Sequence, residues 1–156
     1  MIPKIQDVLD LLEQVAPARL AESWDNPGLQ VGDSFQEVKK ILFSLDPTMT
    51  ALSSAFNQHA QLMFTHHPLI FRPLSSLDIQ KFPGDVILEA AKRGISVVAA
   101  HTNLDVCRGG LNDIAAELLH LEHVTPLNQA HGEDGIGLGR IGNLSEAVPL
   151  SHVSDR

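Results

Sequence analysis

The chain has 156 residues, 44% hydrophobic and 19% charged, with a formal net charge of −8. That length suits about one domain with a core of its own, and so apolar a composition excludes an intrinsically disordered chain. Eleven basic residues against 19 acidic ones exclude a polyanion gripped by bulk charge, because phosphate neutralisation needs clustered Lys and Arg.

The opening Met1-Ile2-Pro3-Lys4-Ile5-Gln6-Asp7 turns charged at once, so no secretory leader is expected. Residues 4–16 predict a helix, because Ile5, Val8, Leu9, Leu12 and Val15 recur at three- and four-residue steps and Pro17 ends the run. Residues 22–33 read as turn-rich. Residues 40–45 predict a buried strand, and Asp46-Pro47-Thr48 offers helix-start chemistry for a helix over 48–59. A second strand over 61–65 runs into His66-His67-Pro68. Residues 72–83, with Pro73 and Pro83, are expected to be irregular. A helix over 84–93 stops at Gly94. Residues 95–100 form the clearest strand and end in His101-Thr102-Asn103-Leu104-Asp105. Gly109-Gly110 opens a helix with Leu111, Ile114, Ala115, Leu118 and Leu119 on one face. After Pro126 the chain turns polar and Gly-rich, and the tail from 141 is expected to hold no complete element.

This alternation of strand and helix predicts an α/β fold: a layered sheet of mostly parallel strands, covered on both faces. The expected organisation is an α/β unit over 1–127 followed by a Gly-rich strand segment over 128–156, which the family resemblance given below makes the start of a second, incomplete half. No charged residue occurs from Pro47 to Phe71, yet Ser53, Ser54, Asn57, Gln58, His59, Gln61, His66 and His67 make that stretch too polar for a membrane span. The single cysteine, Cys107, cannot form an internal disulfide and fits a reducing, cytoplasmic setting.

Eight histidines stand beside one Trp and no Tyr. Open α/β sheets collect ligands at the carboxyl ends of their strands, and two strands here end in metal-ligand chemistry. His66 and His67 follow one; His101 and Asp105 follow another. Imidazoles with a carboxylate suit Zn, Fe, Mn, Co or Ni without choosing among them. Adjacent side chains of an extended segment point to opposite sides, and Pro68 biases His67 towards that geometry. The pair is therefore expected to serve two neighbouring ions, with Asp105 as a bridge. Two ions sharing an activated water are a standard hydrolytic arrangement. Each of these residues alone also has a structural reading, as a hydrogen-bonded histidine or a turn-capping aspartate. His59, His120, His123, His131 and His152 are read as helix or loop surface residues.

Other motifs weigh less. Gly137-x-Gly139-x-x-Gly142 spells a dinucleotide fingerprint, but the context is wrong, and a glycine-punctuated strand is the better reading. Cys107 near His101 reads as a packing residue rather than a nucleophile. Trp24-Asp25-Asn26 reads from its residues as an aromatic plug beside an Asn-Pro-Gly turn; the family resemblance given below implies instead a loop edging the metal site. Gly109-Gly110 reads as a sharp turn rather than an anion site.

Phe64-Thr65-His66-His67-Pro68-Leu69-Ile70-Phe71 resembles the central signature of the GTP cyclohydrolase 1 type 2 homologue family, the Nif-three-like proteins. His101-Thr102-Asn103-Leu104-Asp105 with Gly109-Gly110-Leu111-Asn112-Asp113, Trp24 through Gly32, and Gly137 through Gly142 are similar to its other motifs, in the family's order. The resemblance implies the N-terminal part of a Nif-three-like fold with two divalent metal ions. On matching positions His66, His67 and Asp105 would be ligands, with His101 a polar neighbour or substrate-side group. It implies a ring-like homohexamer and a metal-dependent hydrolase acting on a small, nucleotide-like substrate such as GTP, with no nucleic-acid or membrane partner. The alternative is a non-catalytic metal-binding, metal-delivery or scaffold protein. The family's C-terminal His-x-x-x-Glu string has no counterpart before Arg156, since His152 is followed four residues on by Arg156. A fragment or truncated product is therefore expected.

Overall fold

The computed structural model describes residues 2–129 and 134–154. In chain order the elements are helix α1 (Ile5–Val15), a 3-10 turn (Ala18–Leu20), strand β1 (Gly28–Val31), β2 (Ile41–Ser44), α2 (Met49–Asn57), β3 (Leu62–Thr65) and α3 (Gly84–Arg93). They continue with β4 (Ser96–Ala99), α4 (Thr102–Val106), α5 (Leu111–Leu118), β5 (Glu122–Gln129), β6 (Gly137–Asn143) and α6 (Leu150–Ser154). None of these helices is long and apolar enough to cross a membrane.

Four strands form one sheet in the order β1-β4-β3-β2. β2, β3 and β4 run parallel, and β1 runs antiparallel along the β4 edge. The fold is thus the layered, mostly parallel α/β sheet that the alternation predicts. Because successive side chains leave a strand on opposite faces, each strand feeds two cores. Met63 and Val97 meet Leu52 and Ala55 of α2 and Val86 and Ala90 of α3. Leu62 and Val98 meet Ile5 of α1 and Val38, with Val8, Leu9 and Leu12 packed around them. This double burial explains why the strands read as short apolar runs rather than as alternating ones.

Local chemistry sets the helix ends. Asp7 reaches back to accept from the Lys4 N–H at 2.7 Å at the head of α1. The Thr48 hydroxyl accepts from the Ala51 N–H at 3.1 Å and caps α2, so Thr48, rather than Asp46, starts this helix. α3 stops at Gly94, which takes a left-handed conformation (φ 62°). Gly109-Gly110 is the sharp turn expected: a Cβ on Gly110 would lie 2.0 Å from the Leu104 carbonyl oxygen.

Three expectations change. The turn-rich 22–33 segment contains β1, a strand of four residues entered from Pro27-Gly28 and too short to show periodicity. The glycine-punctuated strand expected around Gly137–Gly142 is present as β6, but the tail from 141 is not without structure, since β6 runs to Asn143 and α6 lies beyond it. β5 and β6 pair antiparallel with Pro126 opposite Arg140, and α6 follows. Pro126 is tolerated because this ladder has only two strands. The apolar stripe of α5 is also turned outward: Leu111, Ile114 and Leu118 are exposed while Ala116 is buried. His59, His120 and His123 are exposed, with His123 inside β5 rather than on a helix or loop. His131 and the side chain of His152 lie outside the described residues.

Arg140 pins the β5–β6 hairpin to the rest of the chain. Its side chain is only 4% exposed. Its Nε donates to the Asp113 carboxylate of α5, and its Nη1 donates to the Gly137 and Gly139 carbonyls at 2.7 and 2.8 Å. The bonded guanidinium holds the Asp113 carboxyl below the ordinary carboxylate range, against the opposing effect of burial. A depressed folded-state pKa gives stability that is present above the unfolded-chain value, about 3.9, and is lost as pH falls through the folded value. Asp113→Asn is therefore expected to lower unfolding stability by about 1–3 kcal/mol at neutral pH. Denaturant titrations should show the gap to the parent chain closing below about pH 4.

Candidate metal centre

The parallel strands decide where the polar groups meet. Ser44 is in register with Thr65, and Thr65 with Ala99, so residues 45–46, 66–67 and 100–105 leave the sheet side by side at one rim. β1 runs the other way, with Gly28 opposite Ala99. The residues just before β1, including Trp24 and Asp25, therefore arrive at the same rim.

Three imidazoles converge there. The ring centroids of His66 and His67 are 5.0 Å apart, those of His66 and His101 5.1 Å, and those of His67 and His101 5.5 Å. Each ring offers one nitrogen to a group whose members all lie within 4.8 Å of one another. His66 and His67 do not diverge, as an extended segment would require, because β3 ends at Thr65 and the two residues form a bend. The His66 and His67 N–H groups donate to the Ser44 and Leu45 carbonyls at 3.1 and 2.9 Å. The buried Thr65 hydroxyl donates to the His67 carbonyl at 2.8 Å and tightens the turn.

An oxygen acceptor faces the Nδ1 of every one of these rings. Ala100 O lies 3.0 Å from His66 Nδ1, Asp46 Oδ1 2.6 Å from His67 Nδ1, and Asp25 Oδ1 2.8 Å from His101 Nδ1. A carbonyl or carboxylate oxygen can only accept, so the proton sits on Nδ1 and the neutral ring keeps its Nε2 lone pair free. This acceptor–imidazole pairing is what holds metal-ligating histidines in the right tautomer and orientation. Asp105, on α4, sits at the edge of the cluster, with Oδ1 3.7 Å from His66 Nε2. Three imidazole nitrogens and a nearby carboxylate fit a divalent ion of borderline softness.

The His101-Thr102-Asn103 string has a structural job at each position. Asn103 is buried; its Oδ1 accepts from the His101 N–H at 2.9 Å and its Nδ2 donates to the Ala16 carbonyl at 2.7 Å. The Thr102 hydroxyl donates to Asp25, and the Thr102 N–H adds a second bond at 3.0 Å. Asp25 has no solvent-exposed side-chain surface. Burial alone would raise its pKa, but the bonds from the Thr102 hydroxyl, His101, and the Asn26 and Thr102 N–H groups outweigh it and keep the carboxyl below its ordinary value. A buried carboxylate is thus sustained by donors, one of them a candidate ligand.

The structure brings His66, His67, His101 and Asp105 together. His101, read from the sequence as a neighbour, stands in the imidazole group itself. The sequence reading missed two acidic residues as partners of the imidazoles. Asp46 looked like a helix cap; its position immediately past a parallel strand was the available signal. Asp25 lies in the Trp24–Pro27 loop that the sequence allowed at the edge of the site, but its bond to His101 follows only from the antiparallel course of β1.

The fold and this rim define an α/β protein with a candidate metal centre at its strand ends. A family model described as DUF34/NIF3 (NGG1p interacting factor 3) matches residues 3–156, and the chain belongs to that family. A protein of Lactococcus lactis named GTP cyclohydrolase 1 type 2 homolog is 38% identical over 153 residues, 98% of this chain and 57% of its own length. Among solved structures, a Bacillus cereus protein related to NIF3 superposes with a TM-score of 0.79 at 37% identity, covering 84% of this chain and 36% of that one. Reduced HcgD from Methanocaldococcus jannaschii gives 0.79 at 37% identity, covering 91% of this chain and 54% of that one. The chain therefore spans well under two thirds of these relatives' lengths.

The outer acceptors give a direct test. Asp46 is 55% exposed, and the side-chain bond it makes is to His67. Asp46→Asn is expected to weaken divalent-metal affinity about 10–100-fold while the thermal midpoint stays near that of the parent. Calorimetric zinc titration with a parallel melt checks both.

Proposed function

We propose that this chain carries the metal-holding part of a metal-dependent hydrolase acting on a nucleotide-like substrate, with His66, His67, His101 and Asp105 as the ligand set. The observation that carries the reading is the common orientation of the three imidazoles: each Nδ1 is committed to an oxygen, and each Nε2 lone pair is left for a cation. The name borne by the Lactococcus relative supports the substrate class.

When bound, a divalent ion supplies Lewis acidity and an activated water near neutral pH. The chain's own residues do the rest. Ala100 O, Asp46 and Asp25 fix the three rings, so that the lone pairs are aimed before a cation arrives. Asp105, with Oδ1 3.7 Å from His66 Nε2, offers two carboxylate oxygens that would help hold a divalent ion beside the imidazoles. Two ions are the fuller form of the proposal, since Asp105 stands beside the imidazole group rather than within it.

Two measurements test this reading. Zinc or manganese titration of the parent chain should show uptake that falls at least tenfold in a His66→Ala, His101→Ala variant; equal uptake by both proteins would end the metal assignment. Metal-loaded parent chain incubated with GTP should release formate, and Asp105→Asn should abolish that release. Metal retained with no formate from the parent chain would replace the hydrolase with a metal-holding or metal-delivering protein.

A further inference from the structure

Beside the imidazoles lies an open pocket of about 390 Å³, within the size range of small-molecule sites. Its apolar walls are Pro47, Pro68, Phe71 and Phe82, and His67 and His101 also line it. Trp24 extends the aromatic surface, with its ring 5.7 Å from Phe71 and 6.2 Å from His101. The Phe71 ring stands 6.3 Å from His101, edge to face. Trp24 is 55% exposed and Phe71 43%. Large apolar rings gathered half-bare around one polar cluster forgo burial that each would otherwise gain, and such concentrations mark binding surfaces.

The wall is held in place. Asn26 Nδ2 donates to the Ile70 carbonyl at 2.6 Å, and the Ile70 N–H donates to Gln30 Oε1 at 3.0 Å. These bonds tie the loop that carries Trp24 to the loop that carries Phe71. Charge then narrows the ligand. Among the described residues, the charged side chain lining the pocket is Asp46, and no Lys or Arg lines it. The walls offer no cationic side chain to a phosphate, which is left to whatever cation the imidazoles hold, whereas aromatic faces and edges attract flat π-systems whatever their hydrogen-bond pattern.

We propose that Trp24 and Phe71 form a stacking wall that binds the flat heteroaromatic ring of the substrate next to His67 and His101, so that this pocket reads the ring and not the phosphate. The inference rests on the reading of the imidazole cluster as a metal-dependent site for a nucleotide-like substrate, and it names the part of that substrate held here. The two residues are specificity determinants.

Trp24 is the single tryptophan of the chain, so its emission reports on this wall alone. The test titrates the metal-loaded full chain with guanosine and, separately, with ribose 5-phosphate, following tryptophan emission and calorimetry. Guanosine is expected to bind and change the emission; ribose 5-phosphate, which has no flat ring to offer the wall, is expected to leave the emission unchanged even where the bound cation holds its phosphate. Phe71→Leu should weaken guanosine about tenfold or more, and Phe71→Tyr, which keeps a ring, should restore binding. Trp24→Leu, followed by calorimetry, should weaken guanosine similarly, and Trp24→Phe should recover most of it. Guanosine that leaves the tryptophan emission unchanged, or guanosine affinity unchanged in both Leu variants, would overturn the proposal. Circular dichroism checks folding, and if one Leu variant unfolds, the other Leu–aromatic pair decides. Failure of the underlying reading shows separately, as zinc uptake indifferent to His66→Ala, His101→Ala whatever guanosine does.

Discussion

Parallel pairing of β2, β3 and β4 is the constraint on which the rest of the molecule depends. Parallel strands bring all their carboxyl ends to one side, so three separate loops must emerge together. The register leaves little freedom: Ser44, Thr65 and Ala99 lie abreast, and the chain delivers Asp46, His67 and His101 within two residues of those positions. The sheet's two cores hold this arrangement. Fully buried Leu62, Met63, Val97 and Val98 each contribute about 1.5–3 kcal/mol of burial relative to exposure. The rigidity of the candidate site is therefore a by-product of apolar packing a few residues away, while the loops supply the chemistry.

The second principle is that each polar group at the rim is answered by another. An imidazole that faced only solvent could ionise, rotate or change tautomer freely; here a carbonyl or a carboxylate closes each Nδ1. The pairing extends a layer further, because Asp25 is itself saturated by Thr102 and by two backbone N–H groups. A buried carboxylate without such donors would be costly. The network makes His101 and the Trp24 loop one unit, although they are far apart in the chain.

How much of this the sequence disclosed depends on the range of the interactions. The helix over Gly84–Arg93 and the strands around residues 41–44, 62–65 and 96–99 follow local rules and were legible nearly to the residue. His66, His67, His101 and Asp105 were legible as a group, because strand ends of an α/β unit share a rim. What escaped was set by non-local geometry. β1 is a four-residue strand whose existence depends on an edge offered by β4. Asp25 follows from it. The convergence of His66 and His67 depends on a bend imposed by Thr65 and by the carbonyls of Ser44 and Leu45, which overrides the alternation that adjacency alone suggests. The stripe of α5 is legible as a stripe, and periodicity would turn it to a core, yet Leu111, Ile114 and Leu118 are exposed in this chain.

The bond between His101 and Asp25 joins residues 76 positions apart. Closing a loop of that size is among the slower and entropically dearer steps available to a small domain. The cluster cannot acquire its final tautomers until the β1 edge has docked, however early the three parallel strands assemble. A nascent chain with its central sheet formed would still lack one of the three oriented rings. On the proposed metal reading, an ion that binds only the finished rim would stabilise the long-range closure between Asp25 and His101 more than the apolar core.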